Sequence, residues 1–213
     1  MNAKRIGELI IILVFSLIGG VAGAFFFSQR QPPVQFVTKE QKTYIEENTA
    51  LTQAVPLAER TVFGISGGGS GLILTTDGLA VALAEVIPAG KTYSFYVNGE
   101  DNVSYQILKR DPQQNLALIK LQKTSLPTAG FYDISQVKEG LRVFSVSAKQ
   151  GSAGYYYSLG EGIVKSFAQG QMATDMAAPA GSPVFDINGN ILGLIVKDGT
   201  IISIADIRTF AGI

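Results

Sequence analysis

The chain contains no histidine and no cysteine. Without histidine, a Ser-His-Asp triad cannot be assembled from this sequence. Without cysteine, thiol nucleophiles, disulfides and thiolate metal sites are excluded as well. A transition-metal site would have to rely on carboxylates alone, so we expect no metal site and no cofactor.

Charge of either sign is not in excess, because 17 basic residues balance 17 acidic ones. Nucleic-acid binding needs a basic surface, so we expect no nucleic-acid partner. The 213 residues are 46% hydrophobic, enough for one globular unit with a sizeable core. The 24 glycines lie among short apolar runs, which predicts an all-β chain with many tight turns.

Residues 9–27 form a charge-free apolar run that follows Lys4 and Arg5. A helix of about 19 residues is roughly 28 Å long, close to the thickness of a bilayer core. The run predicts a single-pass signal-anchor in the cell membrane, with residues 1–8 in the cytoplasm and the rest of the chain outside it. The alternative is a cleaved signal peptide with Ala22-Gly23-Ala24 as the cleavage site.

Residues 28–60 are interpreted as a stalk and a lead-in helix. Pro32-Pro33 predicts an extended linker close to the membrane. Apolar residues at helical spacing predict a short helix from Thr38 to Ala54, which Pro56 is expected to end.

Turn signals divide the remaining sequence into strands. Thr92–Asn98 and Val103–Lys109 alternate in polarity, which predicts a hairpin across Asn98-Gly99. The glycine-rich stretch Ser66–Gly71 precedes a strand and carries no lysine. It therefore favours a hairpin over a phosphate-binding loop.

Three separated stretches resemble the HtrA/DegP branch of the trypsin-like serine proteases. Gly69–Ile87 is similar to G-S-G-(V/F)-I-I-x-x-D-G-x-I-L-T-N-x-H-V-(V/I), and Asp111–Leu121 is similar to D-x-x-x-D-L-A-(L/V)-(L/I)-K. Gly181–Gly189 resembles G-N-S-G-G-P-L-(V/F)-(N/D)-x-x-G, which ends in the Asn188-Gly189 hairpin turn.

The resemblance covers roughly Thr61–Phe210 and implies an all-β, trypsin-like double β-barrel. Barrel 1 is expected at about 61–126 and barrel 2 at about 127–213, with a short closing helix from Asp206 to Phe210. We expect no PDZ domain, although one is common in this branch.

When the sequence is aligned with the family motifs, a different residue stands at every catalytic position. Glu85 stands at the histidine, Asn115 at the aspartate and Ala180 at the serine. The oxyanion-hole glycine is replaced by Ala178, which Pro179 pushes towards extended conformations. The resemblance therefore implies a degenerate member of the family, a pseudoprotease.

Two chemical alternatives stay open. Ser182 could be a displaced nucleophile with a lysine as its base. Glu85 and Asp175 could form a carboxylate pair for acid–base hydrolysis. Both are weaker readings than a loss of catalysis.

We expect a membrane-anchored domain that binds or scaffolds proteins or peptides. The binding site would be the former cleft around Ala178, Ala180, Gly181 and Ser182. The alternatives are a peptidase with non-standard residues and a structural surface or oligomerisation module, and a homo-oligomer is left open as a partner. The tyrosines Tyr155–Tyr157 are interpreted either as a recognition patch or as ordinary half-buried strand residues.

Overall fold

The computed structural model describes residues 16, 20, 49–152, 154–168 and 170–213. The predicted membrane segment at 9–27 and most of the stalk at 28–48 lie outside these residues. Within the part of the chain that is described, no helix is long and apolar enough to cross a membrane.

Helix α1 includes residues 49–59 and packs Ala54 and Ala58 into the core. The prediction that Pro56 ends the helix is wrong, since the helix continues for three residues beyond it. Pro56 lies on the exposed face of α1, where its missing N–H does not disturb the buried contacts of the two alanines.

The first sheet has seven strands in the order β5-β4-β1-β2-β3-β7-β6. All of its pairings are antiparallel. Its strands are β1 (Val62–Ile65), β2 (Ser70–Ile73), β3 (Leu79–Leu83), β4 (Phe95–Val97), β5 (Glu100–Val103), β6 (Tyr105–Asp111) and β7 (Leu116–Leu121).

The hairpin at Asn98-Gly99 joins β4 to β5, and both turn residues have positive φ, 49° and 85°. The predicted partner strand Val103–Lys109 is wrong, because the chain leaves β5 at Val103 and begins β6 at Tyr105. β6 pairs with β7 at the far edge of the sheet. β5 and β6 are the two edge strands of this sheet and are joined through the single residue Ser104, so the sheet forms a half-barrel, consistent with the first barrel of the predicted trypsin-like double barrel.

The second half of the chain forms a closed barrel with the order β10-β13-β12-β11-β8-β9. β9 is by far the longest strand, and β8 pairs with it along its first ten residues. The strands are β8 (Arg142–Gly151), β9 (Gly154–Ala168), β10 (Gln171–Thr174), β11 (Pro183–Asp186), β12 (Ile191–Ile195) and β13 (Thr200–Ser203).

Helix α2 (Ile204–Ala211) closes the fold, as the sequence predicts. Its first turn is capped by Ser203, whose side chain accepts a hydrogen bond from the N–H of Asp206. Ile204, Ile207 and Phe210 are buried in a core shared by α1, the sheet and the barrel.

Sheet and barrel also meet through polar contacts. The Ser70 hydroxyl of β2 accepts a hydrogen bond from the N–H of Ala148 in β8 at 2.8 Å. It also donates to the carbonyl of the same residue at 3.4 Å. This reciprocal contact fixes the register between the two halves close to the predicted site.

Candidate functional site

The predicted histidine and aspartate positions lie side by side because β3 and β7 are paired. Leu83 at the end of β3 lies opposite Leu116 at the start of β7. Beyond this pair, the N–H of Ala84 donates to the carbonyl of Asn115 at 3.0 Å. The N–H of Glu85 donates to Oδ1 of the Asn115 side chain, also at 3.0 Å.

Asn115 has a φ of 54°, a left-handed conformation that asparagine tolerates better than most residues. Arg110 supports the opposite side of the same turn. Its guanidinium donates to the carbonyls of Ala84 at 2.9 Å and Ile87 at 3.1 Å. Arg110 thus holds the turn that presents Glu85.

An open cleft of about 510 Å³ lies in front of this pair. It is lined by Glu85 and Asn115 on the sheet side and by Val196, Lys197 and Asp198 beyond β12. The N–H of Thr200 donates to the carboxylate of Asp198, and this bond lowers the pKa of that carboxyl. The cleft therefore carries charges of both signs.

Lys197 lines this cleft although the sequence does not predict it there. Asp198-Gly199 marks a turn in the sequence, but nothing in it shows which surface that turn faces. The β12–β13 hairpin brings it opposite Glu85 only in the folded molecule.

Ala180 lies on the corner that leads into β11. The next residue, Gly181, has a φ of 87°, and its N–H donates to the carbonyl of Ile195 at 2.8 Å. A Cβ on Gly181 would lie 2.9 Å from the Ser70 carbonyl oxygen and 3.5 Å from Cγ2 of Val86. The corner is thus packed against the turn that carries Glu85, and it presents only the Ala180 methyl group at the predicted serine position.

Ser182 is completely buried. Its hydroxyl donates to the carbonyl of Pro179 at 2.6 Å and lies 2.7 Å from the hydroxyl of Ser147. A serine hydroxyl has a single hydrogen, so Ser147 is the donor in the second contact. Both bonds hold the side chain inside the barrel, and a buried hydroxyl is poorly placed to attack a bound peptide.

Ala178 is partly buried and packs against the interior of the barrel. The residue after it, Pro179, accepts from both the N–H and the hydroxyl of Ser182 through its carbonyl. The corner is therefore tied inward by its own hydrogen bonds.

Asp175 is exposed at the barrel surface and bonds to residues of β9. Its carboxylate accepts from the N–H of Ile163 at 2.9 Å and lies 3.8 Å from the Lys165 ammonium group. Glu85 instead faces the cleft with Asn115 and Lys197. The two carboxylates of the predicted acid–base pair, Glu85 and Asp175, therefore have different neighbours in the structure.

The three consecutive tyrosines have different environments. The ring of Tyr155 stacks on Tyr96 of β4, with centroids 4.6 Å apart. The Tyr157 hydroxyl donates to the carbonyl of Val62 at 3.4 Å. Tyr156 points the other way and is 53% exposed. Two of the three therefore join barrel and sheet, and the third is free for contacts.

Across residues 49–152, 154–168 and 170–213, no group of three or more His, Cys, Asp or Glu side chains is arranged to hold a metal ion.

The fold agrees with a comparison against known families. The trypsin-like peptidase domain matches residues 64–194, more than half of the chain. The protein belongs to this family. The match includes β1 to β12 and the corner at Ala180.

Distant relatives support the HtrA/DegP branch. A probable periplasmic serine endoprotease DegP-like of Bartonella henselae is 26% identical over 136 residues, covering 59% of this chain and 27% of the relative. Proteins of the same description from Marinomonas sp. and Pseudomonas putida (strain W619) are each 25% identical, over 137 and 139 residues, and cover 59% of this chain. The chain spans less than a third of the length of these relatives.

Proposed function

We propose that this protein is a membrane-anchored, catalytically inactive HtrA-like domain that binds proteins or peptides outside the cytoplasm. The observation that carries the proposal is the hydrogen bond from the Glu85 N–H to Asn115 Oδ1. It keeps the two positions in contact in front of an open cleft, although neither has the side chain that the family's chemistry needs.

The absence of hydrolysis follows from the groups at the site. Serine-type catalysis needs a nucleophile, a base that takes its proton and donors that stabilise the oxyanion. Ala180 has no nucleophilic atom, and the neutral amide of Asn115 cannot orient a base as a carboxylate does. The one serine on the corner, Ser182, is buried and bonded to Ser147 and Pro179.

Binding in the cleft would rely on side chains. The N–H of Val196 donates to the Thr200 carbonyl at 2.8 Å, and its carbonyl accepts from Gly199 at 3.0 Å. This wall of the cleft therefore has no free main-chain groups at Val196. Glu85 and Lys197 offer opposite charges, which suits a polar, mixed-charge segment of a protein.

Hydrolysis is tested with the full chain in detergent, fluorescently labelled casein and a fluorophosphonate probe for reactive serines. We expect no casein cleavage above buffer and no labelling by the probe. Cleavage that rises with protein concentration and disappears in Ser182→Ala would overturn the inactive assignment and support the peptidase alternative.

Binding is tested by crosslinking in cells, followed by a pull-down of the full-length protein. Ala180→Trp places a large ring on the corner at the predicted serine position; the next residue of that corner, Gly181, bonds to Ile195, directly before the cleft residue Val196. Ala205→Trp places the same ring on an exposed position of α2 as a control. A partner that is captured by wild type and Ala205→Trp but lost with Ala180→Trp supports the cleft as the site. Equal capture by all three proteins contradicts it, and crosslinks only between copies would favour an oligomerisation module.

The membrane anchor is supported by the charge-free residues 9–27 after Lys4 and Arg5. The DegP-like relatives are described as periplasmic, which supports an extracytoplasmic domain. Alkaline carbonate extraction should leave the protein in the membrane pellet, and a C-terminal tag should be accessible to external protease. A soluble product with a mass that fits cleavage near Ala24 would show a signal peptide instead.

A further inference from the structure

Strand β9 has an edge that no other strand covers. β9 pairs with β8 from Gly154 to Ile163 but with β10 only from Val164 to Ala168. Among the described residues, Tyr155–Glu161 therefore has a neighbouring strand on one side only.

The direction of the main-chain groups on this edge follows from the next residues. The Val164 N–H points towards the β8 side and donates to Leu141. Successive strand residues direct their N–H and C=O to opposite sides, so those of Ile163 point away, where Asp175 and the Thr174 hydroxyl bind them, both at 2.9 Å. The same alternation turns four further residues outward: Tyr155, Tyr157, Leu159 and Glu161. No side chain of the described residues hydrogen-bonds to these groups as Asp175 and Thr174 do at Ile163.

This edge lacks the features that usually protect a free strand. Two other free edges of the described strands have them: β6 carries a bulge at Leu108 followed by Lys109, and β5 is only four residues long. Tyr155–Glu161 contains neither lysine nor proline, and its register with β8 is regular. An unprotected edge is a template for another extended chain.

The side chains along this edge and the residues at its two ends indicate which kind of chain it can bind. Tyr156 and Leu159 lie on opposite faces and are 53% and 44% exposed. Tyr155 stacks on Tyr96 at one end, and Asp175 lies against Ile163 at the other. An edge bounded at both ends by the same domain admits a single extended strand more readily than the barrel of a second copy.

We propose that the edge Tyr155–Glu161 binds an extended segment of a partner protein by strand addition, with apolar side chains of the segment packing on Tyr156 and Leu159. Main-chain hydrogen bonds at the outward-facing residues hold the segment, and the two exposed side chains select apolar neighbours. The site is separate from the cleft of the proposed function and does not depend on it.

The probe is a phage-displayed library of random ten-residue peptides, selected on the biotinylated full chain in detergent. Leu159→Pro removes an N–H that points away from β8, so the β8–β9 ladder is kept while the edge loses a donor. Leu159→Lys keeps the N–H and adds the charge that protects natural edges. Leu108→Lys is the matched control, since it places the same charge on an exposed leucine of the β6 edge.

We expect selected peptides to be rich in β-branched and aromatic residues and to bind wild type, Leu108→Lys and Ala180→Trp equally. Binding to Leu159→Pro and Leu159→Lys should fall roughly tenfold, the effect of about one lost hydrogen bond or apolar contact. Unfolding curves that match wild type establish that each variant is folded.

Three results overturn the proposal. The first is no enrichment of peptides on wild type, and the second is binding to both Leu159 variants that is as strong as binding to wild type. The third is loss of binding with Ala180→Trp, which would move the site to the cleft. Wild-type dimers that dissociate in Leu159→Lys, with no selected peptides, would show a second copy as the occupant and also contradict it.

Discussion

At the scale of single residues, Glu85 and Asn115 lie side by side at the predicted histidine and aspartate positions. Asn115 still receives the N–H of Glu85, but as an amide it cannot carry the charge that a carboxylate would. Ala180 keeps the corner compact without a reactive atom. These substitutions could be read from the sequence, whereas the burial of Ser182 could not.

Ser182 provides a direct test of its role in the fold. Ser182→Ala leaves the buried Ser147 hydroxyl without an acceptor and should lower the free energy of unfolding by about 1–3 kcal/mol. Replacing Ser147 with alanine as well should recover part of that loss, because both partners are then apolar. Urea unfolding of the two single variants and the double variant measures this coupling.

Additive losses in the double variant would show that the two hydroxyls do not interact. In that case Ser182 would be free of the structural role that the 2.7 Å contact assigns to it.

At the scale of elements, tight turns determine how close the strands approach. Gly78, in the turn between β2 and β3, has a φ of 95°, and a Cβ there would lie 2.4 Å from the Leu121 carbonyl oxygen. Gly90 has a φ of 80°, and nothing lies within 4 Å of its Cβ position. Comparing substitutions at these two glycines therefore distinguishes the energetic cost of backbone strain from that of close packing.

Gly90→Ala should lower the free energy of unfolding by about 1–2 kcal/mol, the cost of a left-handed conformation for alanine. Gly78→Ala has the same strain and must also displace the backbone of β7, so its loss should be clearly larger. Chemical denaturation of both variants gives the comparison. Equal losses would show that β7 moves aside freely.

The sequence predicts the turn between β4 and β5 correctly but not the bounds and pairing of the strands that follow it. The Asn98-Gly99 turn is where the sequence places it, because asparagine and glycine are the residues that adopt positive φ at both turn positions. The strand after it was misassigned, because alternation shows which residues form strands but not which strands pair. β5 ends at Val103, and after Ser104 the chain continues as β6, which lies at the other end of the strand order and pairs with β7.

At the scale of the whole molecule, Tyr157 connects barrel and sheet through its bond to the Val62 carbonyl. Burial, with smaller contributions from Tyr96 and Glu59, raises the pKa of Tyr157 to about 12 from 10.0. Folding thus favours the protonated phenol. The stabilisation is complete below pH 10.0 and is lost as the pH rises through about 12.

Wild type should therefore lose stability above pH 10.0 more steeply than Tyr157→Phe, which has no phenol to ionise. Tyr156→Phe, at the exposed neighbour, is the control and should follow wild type. Melting temperatures measured at several values on both sides of pH 10.0 test this. Parallel curves for all three proteins would contradict a buried Tyr157.

The sequence by itself determined the all-β class, the family and the absence of a histidine-based triad. These depend on composition, on local turn chemistry and on motifs that are continuous along the chain. The tertiary structure alone decided that β5 and β6 are the edges of the first sheet, that Lys197 and Glu85 line the same cleft and that Ser182 is buried. Among the described residues, it also leaves Tyr155–Glu161 of β9 without a strand on one side, because strand pairing joins residues far apart in sequence and depends on the packing of the whole fold.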